Sequence, residues 1–75
     1  MDRKTFFDRV QEILEADDAI DASTDLTELE EYDSLGILNL MTMFEEMGVE
    51  TSPQTFEEIT TGADLLRVAG DAVDG

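Results

Sequence analysis

Residues 33–47 read DSLGILNLMTMFEEM, and this stretch decides how the rest of the chain is organised. Ile37, Leu40, Met41, Phe44 and Met47 recur at three- and four-residue intervals, the spacing of one buried helical face. Asp33 stands at the N-cap position and Gly48 just past the last periodic residue, so a helix is expected over 34–47. The stretch is more apolar than a single stripe requires. Leu35, Leu38 and Met43 fall partly outside the face and are expected either to be surrounded by further helices or to meet a partner.

Working outward, the same periodicity recurs on both sides. Phe6, Val10, Ile13 and Leu14 define a first helix over residues 3–15, with Asp2 as its cap. A long acidic connection follows through Asp17, Asp18, Asp21 and Asp25. Within it Ile20, Leu26, Leu29 and Tyr32 are spaced to pin the loop onto a core. Ser52-Pro53 starts a brief third helix from Pro53 to Glu58, because proline suits the first helical position; Phe56 and Ile59 face inward. Thr61-Gly62-Ala63-Asp64 has the form of a capping box and opens a fourth helix through about Val73, with Leu65, Leu66, Val68, Ala69 and Val73 on its buried side. No strand-length alternation competes with these patterns. The expectation is an all-α chain: one domain over 1–75, a small four-helix bundle with three main helices, one short helix and a long loop after the first. Phe6, Val10, Ile13, Leu40, Phe44, Ile59 and Leu65 are expected to hold it together.

Composition narrows the function. The chain has 20 Asp and Glu against 4 Lys and Arg, a formal net charge of −16, and between Arg9 and Arg67 every charged residue is acidic. Phosphate backbones and anionic headgroups need clustered bases, so neither nucleic acid nor a membrane surface is an expected partner; basic protein surfaces are. Hydrophobic residues make up 41%, too many for an acidic disordered tail. There is no Cys, hence no disulfide, protein thiol or thiolate metal site, and no His, hence neither the commonest general base nor the commonest transition-metal ligand. No apolar run approaches a membrane span and no signal-peptide core follows Arg3 and Lys4, so a cytoplasmic monomer is expected. The loop acids Asp17, Asp18, Asp21, Asp25 and Glu28 lack the alternating order of a calcium loop, and no metal site is expected there. Glu45-Glu46 and Glu57-Glu58 lack the apolar surround that raises a carboxyl pKa for acid–base work.

Ser34 is the residue with a chemical use. Asp-Ser before an apolar run is ordinarily a cap, but the N–H groups and positive dipole of a helix start also favour a phosphate esterified to that oxygen. With no His to take its proton, Ser34 is a poor nucleophile, so another enzyme would have to modify it. Asp33-Ser34-Leu35 resembles the Asp-Ser-Leu attachment motif of acyl carrier proteins. The first helix, the long loop, the Leu40 to Glu46 stretch and Phe56-Glu57-Glu58-Ile59-Thr60-Thr61 follow that family's order and spacing, from about Thr5 to Val68.

The resemblance implies a non-catalytic carrier. Its cofactor would be 4′-phosphopantetheine, transferred from coenzyme A to Ser34 by a magnesium-dependent phosphopantetheinyl transferase, with Asp33 and Leu35 flanking the attachment point. Acyl groups would ride on the arm's thiol as thioesters, supplied by a loading ligase and passed to downstream acyl-processing enzymes. The family's partner surface, carried over by position, includes Asp33, Leu35, Leu38, Glu45 and Glu46. The sequence departs from the common pattern at Gly36, where an acidic or small hydroxyl residue is usual, and at Asn39, where Glu is frequent. Tyr32 replaces a smaller residue, and one residue is missing between Glu46 and Thr51. Gly36 costs roughly 1 kcal/mol of helix stability against Ala, and steric room beside the modified serine is the expected compensation. These departures point to a specialised pathway, with an aminoacyl or D-alanyl carrier as the alternative. An unmodified acidic adaptor, in which Leu35, Leu38 and Met43 bind a basic partner and Ser34 only caps, is the reading from a different class.

Overall fold

A computed structural model describes residues 1–73. Asp2 opens α1 (Arg3–Leu14), its carboxylate accepting from the Thr5 N–H at 2.7 Å. This helix stops one residue short of the expected range. Glu15 enters the left-handed region at φ 57°, and its N–H turns back to the carbonyl oxygens of Gln11 and Glu12, closing the helix end. The connection then makes a single 3-10 turn, Leu26–Glu28, before α2 (Ser34–Glu46). The short α3 (Pro53–Glu57) and α4 (Gly62–Ala69) complete four α-helices among the described residues. No strand forms there; Asp25 and Thr61 make an isolated bridge. The all-α bundle expected from the periodicity is the observed fold.

The fourth helix ends earlier than expected. Gly70, at φ 57° and ψ −128°, has a backbone conformation that side-chain-bearing residues avoid, and a 3-10 turn, Gly70–Ala72, replaces the last helical turn. Val73 reaches the core nonetheless, at 7% exposure. Periodicity misled here because an apolar residue in the right phase is buried equally well by a turn.

Side chains near Leu14 and Gly36 meet at one end of α1 and α2, and Phe6 and Phe44 meet at the other, so the two helices run antiparallel. The core is Phe6, Phe7, Val10, Leu14, Ile20, Leu26, Leu40, Met43, Phe44, Phe56, Ile59, Leu65, Ala69 and Val73. Ile13, expected inside, is only half-buried, and Phe7, not anticipated, lies inside. The loop is fastened as its apolar residues suggested: Ile20 and Leu26 are buried, Leu29 and Tyr32 half-buried. Backbone bonds finish the job. Leu26 donates to Thr60 at 2.8 Å, and the first N–H groups of α4, on Gly62 and Ala63, donate to Thr24 and Ala22 at 3.1 and 2.9 Å. Helix N-termini leave such donors without intrahelical partners, so the loop satisfies them while being held. Among the described residues, no helix is long and apolar enough to cross a membrane.

Candidate functional site

Ser34 is the first residue of α2 and faces solvent. The cap is Asp33: its Oδ1 accepts from the Gly36 N–H at 2.9 Å, and its carbonyl accepts from Ile37 at 2.8 Å. Among the described residues, no hydrogen bond engages the Ser34 hydroxyl, so this oxygen has no capping role. The helix start supplies a positive dipole end beside it.

Next to this point lies a surface hollow of about 310 Å³, walled by Ile13, Leu14, Glu31, Asp33 and Leu35, with Gly36 in its lining. Gly36 explains why α2 and the loop can approach so closely. A Cβ there would collide with the carbonyl oxygen of Glu31 and come within 2.8 Å of a Leu14 methyl. The missing side chain therefore makes room for the loop and for α1, and Gly36 also lines the hollow beside Ser34. The buried face of α2 is rotated from the expected one. Gly36, Leu40, Met43 and Phe44 are its buried residues, while Ile37, Met41 and Met47 are half-buried. Met43, expected partly outside the core face, is 2% exposed and belongs to the core.

Leu35 and Leu38 stand out in solvent at 67% and 55% exposure, the two large exposed apolar residues of the described chain. They share one face of α2 with Thr42, Glu45 and Glu46, all exposed. Glu45 lies roughly 17 Å along the axis from Ser34, so the acids and the serine share the helix but form no single cluster. Asn39 is exposed as well.

Tyr32, two residues before Ser34, is half-buried, and its phenol donates to the carbonyl oxygen of Phe56 at 2.8 Å. Burial, reinforced by the negative charge of Asp64, pushes this phenol up to about 12. The apolar spacing of the loop gives Tyr32 only a packing role; the partner of its hydroxyl lies 24 residues away and no local pattern reveals it. Phe7 was detectable, since Phe7, Val10 and Leu14 fall at i, i+3 and i+7.

The loop acids are occupied locally. Asp21 accepts from the Ser23 N–H and hydroxyl at 2.9 and 2.7 Å, and Asp25 accepts from the N–H and hydroxyl of Thr27 at 3.0 and 2.6 Å. Bonding to the Ser23 side chain, then its backbone, lowers the Asp21 pKa. Among the described residues, no three carboxylates converge on a position for a metal ion.

Residues 4–69 of the chain's 75 match the family described as Phosphopantetheine attachment site. No curated protein and no solved structure matches the chain. The residues present suit such a group, because covalent attachment through a phosphate needs an accessible hydroxyl with no internal partner, and Ser34 has one at a helix end that favours negative charge. A match across nearly the whole helical bundle makes this chain a member of the phosphopantetheine-attachment family, whose domains carry 4′-phosphopantetheine covalently.

Proposed function

We propose that Ser34 is the attachment point of 4′-phosphopantetheine and that the domain presents acyl groups to the enzymes of a specialised pathway. The observation that supports this most is the division of labour at the start of α2. Asp33 caps the helix, so the exposed Ser34 hydroxyl has no structural duty to surrender on modification. This also disfavours the adaptor reading, which gives Ser34 only a capping role and counts Met43, a core residue at 2% exposure, among its partner contacts. When bound, the arm supplies a thiol that carries acyl groups as thioesters, a group that a chain without Cys does not itself possess.

The remaining roles belong to the chain. The exposed N-terminal end of α2 offsets the charge of a phosphodiester on Ser34. Asp33, with its second oxygen outside the cap bond, is placed to orient a modifying enzyme or that enzyme's metal ion. Leu35 and Leu38 offer an apolar contact beside the attachment point, and Glu45 and Glu46 steer basic surfaces from further along the same face. An exposed pair contributes about 0–1 kcal/mol, so these acids act on encounter rate more than on affinity. Tethering then raises the effective concentration of cargo at each partner. Members of the family are generally non-catalytic, are modified by phosphopantetheinyl transferases and work with acyl-processing enzymes. An aminoacyl or D-alanyl cargo uses the same attachment chemistry.

Incubation with coenzyme A, magnesium and a broad-specificity transferase, followed by intact mass measurement, tests the assignment. One phosphopantetheine increment is expected, and none in Ser34→Ala. An increment that survives in Ser34→Ala moves the attachment elsewhere, and its absence in the wild type defeats the carrier reading.

A further inference from the structure

Phe44 of α2 and Phe56 of α3 meet in an aromatic column. Phe44 and Phe56 are 0% and 1% exposed and stack with ring centroids 5.7 Å apart; Phe6 lies 5.9 Å from Phe44, and Phe7 is 5.2 Å from Phe6. The column runs from α1 through α2 to α3. Its α3 end is tied down a second time, because Tyr32 donates its phenol to the Phe56 carbonyl at 2.8 Å. Phe56 is thus held by its ring and by its backbone, and the second tie comes from the segment that leads directly into Ser34.

We infer that this carrier keeps its cargo out of the space between α2 and α3, and that Phe56 and Tyr32 are the residues that exclude it. The inference rests on Ser34 as the attachment point. An alkyl chain tethered there and entering between α2 and α3 has to part the Phe56 ring from Phe44. It also has to separate the Phe56 carbonyl from Tyr32, leaving that acceptor without its partner. Both losses oppose the gain from burying methylenes. The cargo class that suits a closed interior is one that gains little from burial: short, polar or charged acyl groups, presented with the thioester open to the next enzyme.

The test attaches acetyl- and octanoyl-phosphopantetheine to the full chain, from the corresponding coenzyme A thioesters, and checks each product by mass. Failure of both attachments defeats the Ser34 assignment and this inference with it. With both products in hand, the inference expects the two forms to melt within about 1 °C of each other, and no nuclear Overhauser contacts from the octanoyl chain to the rings of Phe44 or Phe56. A rise of several degrees in the octanoyl form, or such contacts, overturns it while leaving the attachment intact. Tyr32→Phe and Phe56→Leu then assign the residues. In each variant the octanoyl form is expected to melt above its own acetyl form, a difference that general destabilisation does not produce. Were neither variant to show it, exclusion would not depend on this pair.

Discussion

Gly36 sets two opposing effects against one another. In an exposed helix interior, replacing it with Ala would add about 1 kcal/mol of stability through propensity. Here the new methyl meets the Glu31 carbonyl and a Leu14 methyl, and overpacking of this kind costs typically about 1–3 kcal/mol. The collision with main chain wins, so Gly36→Ala is expected to be destabilised by on the order of 1 kcal/mol, lowering Tm by several degrees in a domain of this size. A thermal melt that rises instead would show the loop moving aside freely. The substitution leaves Ser34 untouched, so under the proposed attachment at Ser34 the rate of phosphopantetheine transfer separates a stability loss from a change in presentation of the hydroxyl.

The loop before α2 and the short α3 depend on one another through Tyr32. Its hydrogen bond to Phe56 is worth about 1 kcal/mol, and Tyr32→Phe removes it while keeping the ring. The same residue gives a pH dependence with a definite sign. A phenol pushed from 10.0 up to about 12 binds its proton more tightly in the folded state than in the unfolded one. Its contribution is therefore complete below pH 10 and is lost as pH rises from 10 towards 12. Tm measured between pH 9 and pH 12 is expected to fall more steeply for the wild type than for Tyr32→Phe. Parallel curves would mean that the phenol feels solvent equally in both states.

For the whole molecule, charge dominates. With a net charge of −16 and two ion pairs among the described residues, Lys4–Asp8 and Asp64–Arg67, self-repulsion opposes compaction. Added salt screens that repulsion and is expected to raise Tm, and to slow association with the basic partners proposed above. Acid acts in two stages. Lowering pH from 7 first relieves repulsion. Asp2, Asp21 and Asp64 then matter, because hydrogen bonds from Thr5, Ser23 and the Thr60 N–H, respectively, hold their carboxyls below the ordinary 3.8. A depressed folded pKa stabilises above the unfolded value and is lost as pH falls through the folded one, so Tm is expected to pass through a maximum and decline below about pH 4. A Tm that keeps rising below pH 3 would show repulsion outweighing these bonds throughout.

Local chemistry was enough to determine the helices, their caps at Asp2 and Asp33, the Asp64 side of the α4 cap, and the serine at the mouth of α2. Each depends on residues within about one turn of one another, and such patterns are written in consecutive positions. Most of the core followed as well, since Phe6, Val10, Leu40, Phe44, Ile59 and Leu65 repeat at helical intervals. What packing alone decided lies between segments distant in the chain. Glu31 and Leu14 close over Gly36, and Met43 lies in the core. Gly70 ended α4 while a turn still delivered Val73. The tie from Tyr32 to Phe56 joins residues 24 apart. Periodicity gives the phase of a helix to within a residue or so, but which side of that stripe is sealed depends on where the neighbouring backbone passes, and that is a property of the assembled bundle.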